Sequence, residues 1–370
     1  MIELADIVRA VGPEERASLA VLPSQKRALQ AIEQCRTSAL GGQVFECDHC
    51  GAAHYSYHSC GNRHCPKCHG QQTQEWLEQQ SSRLLPCAYY LLTFTLPAQL
   101  RSLARQHQKV VYGSLLQCAA ASLQKLCRDP KWLGAQPSLL GVLHTWTRAM
   151  LYHPHAHFLV SAGGLSADGQ GWVEPKNPKF LVPVQALSTL FRAKVRDALR
   201  THKLLGALPP GFWRHSRKWV VHAQPAGRGD KVLQYLGRYV FRIALSNSRL
   251  ERFENGQVIF RYRDNRTQEI KRVCLSTTQF LARFLQHVLP KGFAKVRHYG
   301  LGASASEPRR EQARLLLEKP QPPAATSAFS PSPNSQAAPG PSILAQPCPH
   351  CGLGRLIFIG EVPRQKKVPP

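Results

Sequence analysis

The sequence predicts an α+β fold built around a mainly antiparallel sheet, and three observations carry that reading. Short β-branched and aromatic runs recur along the chain, each closed by Pro or Gly. Helical stretches lie between them. The runs follow one another through hairpin-like turns, without the regular spacing of βαβ units.

Residues 1–40 read as a helical segment, with Ser24 as the N-cap before Gln25 to Ile32, and Gly41-Gly42 ends it. Residues 41–85 carry paired cysteines and read as a zinc-binding domain. Residues 86–318 read as the main domain. Ala88 to Leu96, closed by Pro97, is its central strand, and helix follows from about Gln99 to Leu126. Leu139 to Met150 is a second strand, a turn falls near Tyr152 to Pro154, and His155 to Ser161 returns as the third. Gly163-Gly164 breaks it. Trp219 to Ala223 is a further strand, directly before a helix that starts near Asp230. Pro, Ala and Ser dominate 319–346, which reads as a flexible linker. Residues 347–370 hold one more Cys-x-x-Cys knuckle and a basic tail.

A chain of 370 residues accommodates two or three domains. Its 48 Lys and Arg against 22 Asp and Glu give a net charge of +26, spread over the whole length. That balance favours nucleic acid as a partner, because each phosphate neutralised releases counterions. The acidic start, Glu3 and Asp6, lacks the basic and apolar regions of a secretory signal. The longest apolar stretch, around Cys87 to Leu100, falls short of a membrane span. A soluble, cytoplasmic protein with no membrane partner is the expectation.

Twelve cysteines without a signal peptide point to metal ligation and away from disulfides. Cys47, Cys50, Cys65 and Cys68 have the pairing of a four-thiolate zinc ribbon, with Cys60 as the first substitute and His64 as another. His58 and His69 are surplus. Arg63 and Lys67 beside the ion read either as phosphate contacts or as solvated surface charge, and Arg238 and Arg242 are further candidates for DNA contact. Cys348 and Cys351 form half a site, which must borrow ligands from elsewhere, the surplus set near Cys60 being one source, or stay as free thiols.

Two other motifs carry chemistry. His155 and His157 sit at i and i+2 of a strand, so both imidazoles share a face and can hold one divalent ion while leaving positions open. A third ligand is required. His144 on the neighbouring strand is the first choice, with His153, His222 and Gln224 as alternatives. Tyr235 and Tyr239 lie one turn apart on a helix. A phenol near its ordinary pKa of ~10 needs polarisation of its target to attack, and Mg²⁺ or Mn²⁺ on a phosphate oxygen supplies it. The product is a covalent phosphotyrosine, which conserves the phosphodiester's energy. The chain accordingly has no Gly-x-x-x-x-Gly-Lys-[Ser/Thr] loop.

These motifs, in this order, resemble the rolling-circle transposases of the insertion sequence ninety-one family, the two-tyrosine, His-hydrophobic-His type. The likeness runs from Cys35 to Leu301. It includes Asn62 to Cys68, Phe94 to Pro97, Leu143 to Trp146, His153 to His157, Gly163 to Ser166, Tyr235 to Tyr239, Ser246 to Leu250, and His287 to Phe293 leading to Arg297 to Gly300. It implies an N-terminal zinc domain, a ferredoxin-like endonuclease core, metal at His155 and His157, and nucleophiles at Tyr235 and Tyr239. It also implies action on single-stranded DNA at transposon ends through a 5′-phosphotyrosine. The chain departs from the family pattern at Gln224, where a lysine is usual, and at Ala226 to Gly229, where a Pro-Phe-Gly-Gly-like turn is usual. A replication initiator or relaxase would share this chemistry, and a non-catalytic zinc DNA-binding protein would share only the basic surface and the thiolates.

Overall fold

A computed structural model describes residues 2–318 and 347–365, apart from Ala20, His69 and residues 178–179, 215–218 and 241–243; for Pro13, Ala17, Ser18, Gln71, Arg238 and Tyr239 it describes the backbone alone. The linker read at 319–346 and the candidate Arg242 lie outside the described residues.

Helices α1 (Leu4–Ala10), α2 (Pro13–Ser18) and α3 (Pro23–Gln34) precede a hairpin of β1 (Gly42–Cys47) and β2 (Ala53–Tyr57), then α4 (Gly70–Arg83). Next come β3 (Tyr89–Thr95), α5 (Arg101–Gln106), α6 (Gln108–Arg128), β4 (Ala135–Gln136), β5 (Ser138–Trp146) and β6 (Tyr152–Ser161). The chain continues through β7 (Gly164–Ser166), β8 (Trp172–Val173), α7 (Val184–Thr201), β9 (Val221–Pro225) and α8 (Asp230–Val240). A meander of β10 (Leu250–Glu254), β11 (Gln257–Arg263) and β12 (Ile270–Ser276) leads to α9 (Thr277–Leu285), β13 (Val296–Gly300), α10 (Glu307–Glu318) and finally β14 (Leu356–Val362).

The main sheet runs in the order β13-β5-β6-β3-β9, with every pairing antiparallel. Alternation along its strands separates two faces. One face sends Leu92, Phe94, Leu139, Leu143, Phe158 and Val160 into a core closed by α6 and α7, where Phe94 meets Phe158 and Phe191 edge-on at 5.6 and 5.1 Å. Each fully buried ring contributes about 1.5–3 kcal/mol. The opposite face presents Leu140, Val142 and Leu159 to Leu233 and Leu236 of α8, with Trp76 and Leu77 of α4 packed beside them. A further core joins α1 and α3 to the β10–β12 meander and α9, and reaches Cys35, Cys65, Trp146 and Met150. Among the described residues, no helix is long and apolar enough to cross a membrane.

Several boundaries differ from the sequence reading for identifiable reasons. Helix α3 starts at Pro23, its N-cap is Leu22, and Gln25 Oε1 accepts from the Leu22 N–H at 2.8 Å, so Ser24 lies inside the first turn. Proline is preorganised for that first position. The turn between β5 and β6 spans Thr147 to Leu151, with Met150 at φ 58° and the Thr147 N–H donating to the Leu151 carbonyl. Pro154 therefore lies within β6. It is tolerated because the β5–β6 register shifts beside it, between His144 and Trp146, and a bulge relieves the ladder of one donor. The predicted long helix breaks at His107 into α5 and α6. Strand β9 starts two residues later than expected and lies at the sheet edge, which leaves β6, and not β3, in the centre.

Candidate metal and tyrosine site

The register of β5 and β6 places His144 directly opposite His155, and His157 follows two residues along on the same face. One ligand atom from each of the three imidazoles lies within 4.8 Å of the others. The ring centroids are 4.5 to 5.3 Å apart. Neighbouring groups fix each ring. His155 Nδ1 donates to the His153 carbonyl at 2.6 Å, so its lone pair is on Nε2. His157 Nδ1 is 2.9 Å from Thr93 Oγ1 on β3, and Trp146 stacks on His144 at 5.3 Å. Burial pushes His155 down to about 3 and His157 down to about 4, and holds His144 well below the ordinary histidine range. All three are neutral at pH 7, the state a metal ion requires. A set of three neutral imidazoles fits a divalent ion and leaves coordination positions for other ligands.

The other candidate ligands are not in this group. His153 accepts from Arg101 Nη2 at 3.0 Å. His222 and Gln224 are exposed on β9, on the far side of β3.

Helix α8 closes over the histidines. Leu233 and Leu236 anchor it to the sheet, and its neighbour across the face is α4. Gly237 permits the approach: a Cβ there would stand 2.6 Å from Leu77 Cδ2. The preceding turn, Ala226 to Gly229, ends on Gly229 at φ 87°, tight against the Tyr89 ring. Tyr235, 36% exposed, lies with its ring centroid 6.4 Å from that of His157. Tyr239 follows one helical turn later; its side chain and that of Arg238 lie outside the described residues.

The cysteines are grouped differently from the sequence reading. Cys47 and Cys50 do not converge with Cys65 and Cys68. Instead Cys35, Cys60, Cys65 and Cys68 form one cluster, and Cys47, Cys50, Cys348 and Cys351 form another. Cys68 Sγ lies 3.3 and 3.5 Å from the sulfurs of Cys35 and Cys60 in the first, and the Cys47–Cys351 and Cys50–Cys348 sulfurs are 3.7 and 3.9 Å apart in the second. A tetrahedron with zinc–sulfur bonds of about 2.3 Å has edges of about 3.8 Å. A disulfide would need about 2.05 Å. Cys60, expected only as a substitute for one of the four, is thus a member of a cluster with Cys65 and Cys68, and His64 is not a member, because its Nε2 accepts from the Leu289 N–H at 3.2 Å. Cys35, at the end of α3, was missed because it stands alone in sequence.

The two candidate phosphate contacts near these thiols are engaged inside the protein. Arg63 Nη1 donates to the Phe293 carbonyl at 2.7 Å, and the Lys67 ammonium pairs with Glu3. A cation that sequence reasoning missed lies closer to the histidines: Lys295, half-buried, with Nζ 4.7 Å from the centre of the Trp146 ring that backs His144. Burial pulls its pKa down to about 7. Nothing in its sequence neighbourhood separates it from a surface lysine.

Comparison with known proteins places the chain in a family. A family model described as putative transposase matches residues 139–310, which hold the three histidines and both tyrosines. A second, described as transposase zinc-binding domain, matches residues 7–96. "Putative transposase y4qJ" of Sinorhizobium fredii is 39% identical over 388 residues, covering 96% of this chain and 94% of the relative. "Transposase for insertion sequence element IS801" of Pseudomonas savastanoi pv. phaseolicola is 32% identical over 289 residues, covering 73% of this chain and 68% of the relative. No solved structure matches. The class defined is that of DNA transposases with an N-terminal zinc-binding domain. The chain belongs to the insertion sequence ninety-one family of transposases.

Proposed function

We propose that this transposase nicks single-stranded DNA at the ends of its element by tyrosine attack, and that it transfers the strand in rolling-circle transposition. The observation that carries the reading is the convergence of His144, His155 and His157 beneath Tyr235. The five-stranded antiparallel sheet with helices on both faces supports a ferredoxin-like endonuclease core as its scaffold.

In this reading His144, His155 and His157 would hold Mg²⁺ or Mn²⁺, which when bound would supply Lewis-acid polarisation of the scissile phosphate. Thr93, Trp146 and the His153 carbonyl keep the rings aimed. Tyr235 oxygen attacks phosphorus, the bond from phosphorus to the 3′ oxygen breaks, and the phenolic proton leaves as the 3′ hydroxyl is released. The 5′ phosphate remains on the tyrosine. Tyr239, one turn along, serves the second strand. A single strand fits because the half-exposed phenol must reach the backbone without a partner strand in the way. The cluster of Cys35, Cys60, Cys65 and Cys68 holds structural zinc and ties the N-terminal helices to the core around Trp146. The protein acts in the bacterial cytoplasm, on DNA.

The test is incubation of the protein with single-stranded oligonucleotides and Mn²⁺, followed by denaturing electrophoresis. A covalent complex is expected with the wild type and none with Tyr235→Phe/Tyr239→Phe. An adduct formed by the double variant would contradict tyrosine chemistry.

A further inference from the structure

The Cys-x-x-Cys knuckle near the chain's end has no part in the tyrosine chemistry, and neither matched family model reaches it, since they end at residues 96 and 310. We propose that Cys348 and Cys351 join Cys47 and Cys50 to bind a second zinc ion, distinct from the one in the Cys35 cluster, and that this ion clasps the C-terminal segment onto the N-terminal zinc domain.

The two knuckles are built alike. Each reads Cys-x-His-Cys-Gly, and in each the glycine has positive φ, 67° at Gly51 and 72° at Gly352. Each glycine N–H closes the loop onto the carbonyl of its first cysteine, at 2.9 Å for Gly51 and 2.8 Å for Gly352. Backbone donors also turn toward sulfur: His350 N–H to Cys348 Sγ at 3.4 Å and Gly354 N–H to Cys351 Sγ at 3.5 Å. Donors of this kind stabilise thiolates, the form that binds metal.

The knuckles are then locked face to face. Asp48 N–H donates to the Arg355 carbonyl at 3.1 Å, and Arg355 N–H returns a bond to Asp48 Oδ1 at 2.8 Å. Gly354 lies so close that a Cβ there would stand 2.4 Å from Cys47 Sγ. Strand β14 extends the contact by pairing with β1 from Cys47↔Leu356 to Gly42↔Val362. The apolar residues buried at this junction are Phe45, Cys47, Cys348 and Leu356, and two of the four are ligands. So small a core needs a metal to hold it. Binding couples directly to folding in such a case.

The experiment counts thiolate-bound zinc in the full chain, released by a thiol-directed mercurial and read with a chromogenic chelator, so that imidazole-bound metal does not enter. The wild type should release two equivalents. Cys348→Ser/Cys351→Ser should release one, as should Cys47→Ser/Cys50→Ser, and the four-fold variant should still release one. Limited proteolysis of the Cys348→Ser/Cys351→Ser protein should remove residues 347–370 first and leave the N-terminal zinc domain and the main domain intact. Release of one equivalent by the wild type, two by the Cys348→Ser/Cys351→Ser variant, or recovery of a zinc-free disulfide among these four cysteines would overturn the proposal. None of these outcomes bears on whether Tyr235 forms an adduct, so the two readings fail separately.

Discussion

At His155 and His157 the difference between packed histidines and ligands lies in which ring nitrogen faces inward. His155 Nδ1 donates to the His153 carbonyl and His157 Nδ1 bonds to Thr93 Oγ1, which leaves Nε2 of each ring available to the proposed ion. Replacing Thr93 by Val removes one orienting bond without touching a ligand, and should weaken Mn²⁺ binding by about 10–100-fold, measured by calorimetry. Unchanged affinity would deny Thr93 that role. His157→Ala should abolish cleavage yet leave binding to single-stranded DNA within about 3-fold, because the basic surface that supplies affinity is intact. Burial sets the sign of the pH dependence. With His155 at about 3 and His157 at about 4, both are deprotonated well below neutrality. Metal affinity should therefore stay nearly flat from about pH 8 down to about pH 6, where an ordinary histidine with a pKa near ~6.5 would already be losing its ligand form. A tenfold loss across that window would show that the rings are solvated in solution.

The site depends on how α8 sits on the sheet, and that placement rests on Gly237. Gly237→Val should clash with Leu77, push α8 off α4 and cost about 1–3 kcal/mol in denaturant melts, with loss of cleavage. Leu77→Ala in the same chain should restore much of both; failure to do so would mean that the glycine serves another purpose. The sequence showed this element well, since the tyrosine helix begins at Asp230 as expected and its apolar spacing faces Leu140 and Leu159. The shared face of His155 and His157 was also legible, because period-2 alternation fixes which side chains of one strand point together, whereas only the β5–β6 register selects His144 from its alternatives. The β10–β12 meander was not read at all. Its strands are rich in Arg and Glu and half exposed, so hydrophobic alternation is faint there. The cysteine grouping failed for a different reason. Spacing of two marks a knuckle but carries nothing about which knuckles meet, and β14 pairs with β1 across some three hundred residues.

Across the whole molecule, a net charge of +26 spread along the chain implies that DNA affinity falls steeply with salt. For single strands the slope of log affinity against log salt should be about −0.7 for each phosphate contacted, and a slope near zero would remove the electrostatic account of binding. The same architecture unites three devices: a cysteine cluster that joins the N-terminal helices to the core, a helix that carries the tyrosines, and a sheet that gathers three imidazoles beside Tyr235. The central claim is that these converge to make a protein–DNA bond at Tyr235. It is tested most directly by mass spectrometry of the protein after reaction with a single-stranded oligonucleotide bearing the element's end, in Mn²⁺, followed by nuclease and protease digestion. The account predicts a nucleotide 5′-phosphate on the peptide containing Tyr235, on that phenol or, after the second transfer, on Tyr239. Cleaved DNA with both tyrosines unmodified would contradict it.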